Sequence, residues 1–215
     1  MVTRTRPSRS DGEATRKRIL NSAGDLIADR GYAETTGKAI AARAGVDLAS
    51  INYHFGSRDG LYRAVLIEAH RRFVQLDALE DITAKEISPD DKLRDLLRVI
   101  LTNVGSLEDW SVGVLVRELS SPSSHFSVLQ RDEITPSFDV ALQIISEITG
   151  IPGDDPALFY CLLSSVAPCL MLTLSGTAMV ASGRPRLRAA ELLDHMHRFA
   201  LAGLESAAAS YRARS

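Results

Sequence analysis

The sequence predicts an all-α protein of about nine helices. Apolar residues recur at helical spacing, most clearly over residues 93–104, and no stretch alternates with the period of two that a half-buried strand requires. Glycine and proline separate these helical stretches. With 45% hydrophobic and 24% charged residues, the composition is typical of a globular protein with its own core.

The first three predicted helices are short and follow one another closely. Gly31 stands where the left-handed residue after a helix is expected. Gly45 ends the second helix, and Gly56 ends the third. Ser57 can cap the next helix, which the apolar pattern extends over residues 58–79.

The later helices are longer, and their starts carry cap or proline signals. Ser88 precedes Pro89, Thr135 precedes Pro136, and Asp155 precedes Pro156. The long apolar stretch 158–181 contains several Ser and Thr residues and Pro168, so it is predicted to be a buried helix rather than a membrane span. The N-terminus is basic without an apolar segment, which favours a cytoplasmic protein over a secreted one.

Charge is distributed unevenly along the chain. Residues 1–75 carry 13 Lys and Arg against 8 Asp and Glu, a net +5, whereas residues 76–215 carry 12 against 19, a net −7. This asymmetry indicates an anionic partner for the N-terminal part. Residues 1–12 are predicted to be a disordered basic arm.

The segment GKAIAARAGVDLASINY, residues 37–53, places two short helices around a turn at Gly45. Small and apolar residues, among them Ala41, Val46 and Ile51, suit the close crossing of two helices. This spacing favours a helix-turn-helix, which binds DNA, over an ordinary helical hairpin.

The stretch TTGKAIAARAGVDLASINYHFGSRDGLYRAVL closely resembles the DNA-binding segment of the TetR family of transcriptional regulators. The matching positions are Thr36, Ile40, Ala41, Ala44, Gly45, Val46, Tyr53, Phe55, Arg58 and Leu61. Two positions depart from the family pattern: Asn52 replaces a common Tyr, and Asp47 replaces a common Ser or Thr cap. The resemblance implies a helix-turn-helix domain over 13–58, a connecting helix over 59–80, and a ligand-binding and dimerisation bundle over 81–212.

A helix-turn-helix lays its second helix in the major groove. The residues predicted to contact DNA lie at the start of the second helix, along the third and after it: Thr36, Lys38, Asp47, Leu48, Ala49, Ser50, Asn52, Tyr53, His54 and Arg58. Alternatives remain open for several. Asn52 either reads a base or is a buried hydrogen-bonding residue, and His54 either meets phosphate or packs. Phe55 is predicted to be core, and Arg4, Arg6 and Arg9 reach a minor groove or belong to a solvated tail.

The segment VRELSSPSSHFSVLQRDEITPSFDVALQIISEITG resembles the C-terminal domain of CecR-type members of the same family. Apolar walls with a few polar groups are typical of ligand sites. The residues predicted to line such a site are Trp110, Val114, Arg117, Phe126, Phe138, Leu142, Ile145 and Met171. Arg117 and Glu118 lie in an apolar helix, so the alternative is a buried structural pair.

The last two long helices, over 156–181 and 187–212, are predicted to form a homodimer interface. Their small residues allow close helix approach: Ser164, Ser165, Gly176, Ala178 and Gly203. The combined expectation is a repressor that binds a palindromic operator as a homodimer and is released by a small-molecule ligand. An activator, or a regulator without a ligand, fits the same sequence.

Two other functional classes are disfavoured. No nucleophile elbow, P-loop or dinucleotide motif points to an enzyme, and no cofactor or metal is predicted. A DNA-coating protein without sequence preference is expected to be more basic than a chain with an isoelectric point near 6.2.

Overall fold

The computed structural model describes residues 9–104, 110–181 and 188–214, and every regular element in these ranges is helical. The all-α prediction is confirmed. The eleven α-helices of these ranges are α1 Arg9–Arg30, α2 Gly37–Ala44, α3 Leu48–Phe55, α4 Arg58–Phe73, α5 Leu76–Ala84, α6 Pro89–Val104, α7 Trp110–Ser120, α8 Phe126–Leu129, α9 Thr135–Thr149, α10 Pro156–Ala181 and α11 Ala189–Arg212. A π-helical stretch, Gln130–Ile134, joins α8 to α9.

Two predicted boundaries were wrong. Helix α1 begins at Arg9, so residues 9–12 of the predicted arm are helical, while Arg4 and Arg6 lie outside the described residues. The single connecting helix predicted over 59–80 is two helices, because α4 ends at Phe73 and α5 begins at Leu76. The break lets Val74 join Leu79 and Ile82 in one buried cluster.

Most helix ends follow the local signals in the sequence. Gly31 ends α1 with φ +86, and its N–H donates to the Ile27 carbonyl at 2.8 Å. The Ser57 hydroxyl accepts from the N–H of Gly60 at 2.9 Å, and Asp155 caps α10 through the N–H of Ala157.

The chain forms two compact units. The first holds residues 9–70 and 110–129, and the second holds 71–104, 130–181 and 188–214. Residues 110–129, assigned by sequence to the C-terminal domain over 81–212, therefore pack with the N-terminal helices. In the first unit α1 contacts α2 and α7, and α2 contacts α3.

The second unit is a bundle built around α6. Helices α9, α10 and α11 pack against α6, and α5 packs against α6 and α9. Leu93, Leu97 and Ile144 are fully buried in its core. Phe199, which shares the apolar period of α11, is 68% exposed instead.

Candidate nucleic-acid interface

Helix α2 begins and ends at residues suited to a tight turn. Its N-cap, Thr36, accepts a hydrogen bond from the N–H of Ala39 at 3.2 Å. Its C-cap, Gly45, has φ +65, a left-handed conformation that costs little only for glycine. The N–H of Val46 donates to the Ala41 carbonyl at 3.0 Å, closing the turn toward α3.

Helix α3 is capped by Asp47, a departure from the family pattern that preserves the cap. One carboxylate oxygen accepts from the N–H of Ser50 at 2.7 Å and from the Ser50 hydroxyl at 2.6 Å. These hydrogen bonds hold the pKa of Asp47 below its usual value. The ionised carboxylate therefore lies at the positive end of the helix.

The exposed side chains of α3 are a small one, an apolar one, an amide and a phenol. Ile51 is 2% exposed and anchors the helix, whereas Ala49 and Asn52 are exposed. Leu48 is 45% exposed and Tyr53 is 85% exposed. Asn52 is therefore not a buried hydrogen-bonding residue, and that alternative was wrong.

The end of α3 is held by aromatic contacts. The rings of His54 and Phe55 are half-buried, so Phe55 is less enclosed than a core residue. The Arg16 guanidinium of α1 lies 4.9 Å from the Phe55 ring centroid. His54 meets the Tyr53 ring edge-on at 5.0 Å.

Arg58, a predicted phosphate contact, has partners inside the protein. Its Nε donates to the Thr35 carbonyl at 3.1 Å, and its terminal nitrogen donates to the Tyr32 carbonyl. Its guanidinium lies 4.1 Å from the Tyr32 ring centroid. Arg58 thus fastens the loop between α1 and α2 to the start of α4, and Thr36 and Lys38 follow that loop directly.

Sequence reasoning missed the aromatic cluster beside Arg58. Tyr32 and Tyr62 stack with ring centroids 4.0 Å apart, and His125 meets the Tyr62 ring edge-on at 5.4 Å. The Tyr32 hydroxyl donates to Asp59. Burial, and then this hydrogen bond, raise the pKa of Tyr32 to about 12. These partners lie far apart in sequence, and no local pattern signals the contacts.

Arg117 and Glu118, adjacent on α7, have separate partners rather than forming the buried pair considered above. Arg117 donates to the carbonyls of Ala28 and Asp29, both at 2.8 Å, and so satisfies the C-terminal end of α1. Glu118 is 2% exposed and accepts from the Tyr62 hydroxyl at 2.5 Å. Burial, followed by this hydrogen bond, raises the pKa of Tyr62.

The residues predicted to line a ligand site belong to different units. The first unit holds Trp110, Val114, Arg117 and Phe126, and the second holds Phe138, Leu142, Ile145 and Met171. Trp110 and Val114 are buried, at 7% and 1% exposure, whereas Met171 is 58% exposed. The set stays a prediction.

A groove between α10 and α11 exposes apolar surface in the second unit. It forms a cavity of about 450 Å³ whose lining includes Tyr160, Ser164, Phe199 and Gly203. Tyr160 is 67% exposed, and Leu163 beside it is 37% exposed. We call these five residues the α10–α11 face. The groove also touches Ser165. Gly176 and Ala178 lie in the part of α10 where the structure describes only the helix itself.

Within the described ranges, no group of three or more His, Cys, Asp or Glu residues is placed to hold a metal ion. None of the helices in those ranges has the length and apolar character needed to cross a membrane.

Comparison with known proteins agrees with this arrangement. Residues 19–65 match the tetR family of bacterial regulatory proteins. Residues 89–204, more than half of the chain, match the C-terminal domain of the HTH-type transcriptional dual regulator CecR.

Individual relatives are more distant. The HTH-type transcriptional regulator PksA of Bacillus subtilis (strain 168) is 26% identical over 107 residues, which is 49% of this chain and 51% of PksA. The match thus spans about half the length of that relative.

Solved structures share the fold at low identity. A TetR-like transcriptional regulator from Rhodococcus sp. RHA1 has a TM-score of 0.65 and 24% identity, covering 93% of this chain and 98% of that one. The hemolysin II transcriptional regulator HlyIIR has a TM-score of 0.62 and 21% identity, covering 87% and 97%. Regulators of this kind are DNA-binding transcription factors and not enzymes. The chain belongs to the TetR family of bacterial transcriptional regulators and has a C-terminal domain of the CecR type.

Proposed function

We propose that the chain represses transcription in the cytoplasm by binding a palindromic operator as a homodimer, and that a small-molecule ligand releases it. The observation that carries the DNA-binding part is the exposed surface of α3, where Asn52 and Tyr53 point away from the core that Ile51 anchors. An activator role is the alternative, and transcription measured with and without the protein distinguishes the two.

The exposed side chains of α3 suit base readout in the major groove. Leu48 and Ala49 offer apolar contact to a thymine methyl, and the Asn52 amide suits adenine. Ser50 donates its hydroxyl proton to Asp47, which leaves its oxygen lone pairs to accept from a base.

Phosphate contacts fix the register of the helix without reading sequence. Thr36 is the N-cap of α2 and Lys38 lies in its first turn, where free N–H groups favour an anion. Tyr53 carries an exposed hydroxyl, and His54 lies beside it. Arg58 supports these contacts from within the protein, through the loop that precedes Thr36.

The α10–α11 face supports a homodimer. Phe199 and Tyr160 expose large apolar side chains next to a groove whose wall includes Gly203. A second copy of the same face buries these rings, and a two-fold interface presents two reading heads to a palindrome. Ser164 and Gly203, the two small residues of the face, allow two helix pairs to approach closely.

The ligand is proposed to be small and apolar or amphipathic, because the residues predicted to line its site are mostly apolar. Such a ligand weakens operator binding only if it binds the DNA-free state more tightly than the DNA-bound state.

The decisive test for DNA binding is selection of bound genomic fragments by purified protein, followed by affinity measurement on the enriched operator. We expect a clear preference over random DNA of equal length, weakened by the correct ligand in a release screen. Asn52→Ala is expected to change base preference, whereas Gln143→Ala, an exposed amide on α9, leaves it unchanged. Equal affinity for operator and random DNA would reject the proposal.

Sedimentation tests the dimer separately. Phe199→Glu is expected to give a monomer, because it places a charge on the exposed apolar face. Leu119→Glu, a matched change at a residue of α7 that is 60% exposed, is expected to remain dimeric. If the Phe199→Glu protein remains a dimer, the interface does not lie on the α10–α11 face.

A further inference from the structure

The carboxylate of Glu118 is buried and accepts three hydrogen bonds. Neither the proposed DNA contacts nor the predicted ligand site accounts for this arrangement. Its Oε2 accepts from Tyr62 of α4, and its Oε1 accepts from the N–H and the hydroxyl of Ser123 at 2.9 and 2.7 Å. All three residues belong to the first unit.

Burying a carboxylate is costly unless hydrogen bonds replace the lost water. Apolar residues of similar size hold two helices together without that cost. Hydrogen bonds differ from apolar contacts because they require a particular direction and distance. The Glu118 network therefore suits fixing the orientation of α4 on α7 better than adding general stability.

The network continues from Glu118 to both flanks of the helix-turn-helix. Tyr62 stacks on Tyr32, whose hydroxyl donates to Asp59 in the first turn of α4. Arg58, the first residue of α4, donates to carbonyls at both ends of the loop 32–35. That loop leads into the N-cap of α2, and α4 follows α3 directly.

We propose that Tyr62 and Glu118 are positioning residues that set the angle at which α2 and α3 are presented, and through it the half-site spacing that the dimer accepts. Both side chains are buried, at 5% and 2% exposure, so we expect neither to touch DNA. The inference rests on the proposed dimeric operator binding.

The test measures affinity for the selected operator and for versions whose centre is longer or shorter by one base pair. The proteins compared are the full chain, Tyr62→Phe, Glu118→Gln and the double variant. Tyr62→Phe keeps the stacked ring and removes only the donor. Tyr211→Phe is the matched control, because it removes a hydroxyl that donates to Asp155 at 2.9 Å in the second unit.

We expect the unaltered protein to prefer its native spacing, and each positioning variant to lose roughly threefold to tenfold of that preference, the range for one hydrogen bond. The double variant should lose no more than the larger single loss, since both residues make the same bond. Discrimination against a base change within the half-site should persist, and Tyr211→Phe should match the unaltered protein.

Urea unfolding and the emission of Trp110, the single tryptophan of the chain, check that α7 stays packed. If the Tyr62→Phe and Glu118→Gln variants have lower urea midpoints but keep the spacing preference, the inference is overturned and the network serves stability alone. An unaltered protein that binds all spacings equally also overturns it. Failure of the unaltered protein to prefer operator over random DNA is a different result, and rejects the proposed function as well.

Discussion

Gly24 of α1 provides a sharp test of how α7 packs, because its substitution by alanine sets two effects of opposite sign against each other. In an exposed helix interior, Gly→Ala stabilises by about 1 kcal/mol, since alanine loses less backbone entropy. At Gly24 the new methyl carbon would lie 2.1 Å from Cδ2 of Trp110. Carbon atoms pack best at roughly 3.5–4.0 Å, so the indole must move by about 1.5 Å.

The steric effect is expected to win. Trp110 is 7% exposed, and Cε2 and Cε3 of the same ring lie 2.4 and 2.5 Å from the added carbon. No single rotation of a flexible end relieves three contacts with a rigid ring. Overpacking costs about 1–3 kcal/mol, and displacing a buried tryptophan brings the total toward about 3 kcal/mol. Subtracting the gain in helix propensity leaves a net loss of about 2 kcal/mol.

Thermal unfolding and tryptophan emission measure this loss. A net loss of about 2 kcal/mol lowers the midpoint of a chain of this size by about 4–8 °C. The emission of Trp110 should shift to the red as the indole meets water. Gly12→Ala is the control, because Gly12 lies in the same helix and its added methyl has no neighbour within 4 Å. That variant should be as stable as the original chain, or more stable.

The packing of α7 on α1 is refuted if Gly24→Ala is as stable as Gly12→Ala and its emission is unchanged. Trp110→Leu in the Gly24→Ala background provides a second check. The smaller side chain relieves the collision, so the two changes together should cost less than the sum of their separate effects.

Three further outcomes are expected. Asn52→Ala should alter base preference in competition binding while changing the free energy of unfolding in urea by less than about 0.5 kcal/mol, because Asn52 is exposed. Arg117→Ala should lower stability by about 1 kcal/mol in urea unfolding, because it frees the Ala28 carbonyl at the end of α1. A hydrogen bond from Lys85 holds the pKa of Asp95 below 3.8 in the folded protein. The ionised Asp95 therefore stabilises the fold above pH 3.8, and this stabilisation is lost as the pH falls through the pKa of Asp95 in the folded protein. Lys85→Met should therefore reduce the difference between urea midpoints at pH 7 and pH 3.

Local signals predicted the helix-turn-helix well. Thr36, Gly45 and Asp47 act within three or four residues of their own position, so their roles follow from sequence spacing. The position of Asn52 was harder to predict, because an amide on a short helix either faces solvent or is buried with a hydrogen-bond partner. The structure shows that Asn52 is exposed beside the buried Ile51.

Contacts between distant residues were not predictable in the same way. Tyr62 and Glu118 are 56 positions apart, and nothing near either residue identifies its partner. Trp110 and Val114 are predicted to line a ligand site, but an apolar helix has the same sequence pattern whether it faces a ligand or another helix. The Trp110 ring packs where a side chain at position 24 would lie, and this contact between distant residues is seen only in the folded structure.

The engagement of Arg58 with backbone carbonyls has a thermodynamic consequence for DNA binding. Each phosphate neutralised by a protein cation releases counterions. The logarithm of the binding constant then falls more steeply with the logarithm of the salt concentration, by about 0.9 in slope for each phosphate. Arg58 already donates to Tyr32 and Thr35, and Arg43 is paired with Asp25 at 2.7 Å. The slope should therefore be shallower than the 13 Lys and Arg of residues 1–75 suggest. Nonspecific DNA binding depends on counterion release and therefore weakens as salt is added. If operator binding weakens less, the preference for operator over nonspecific DNA increases at high ionic strength.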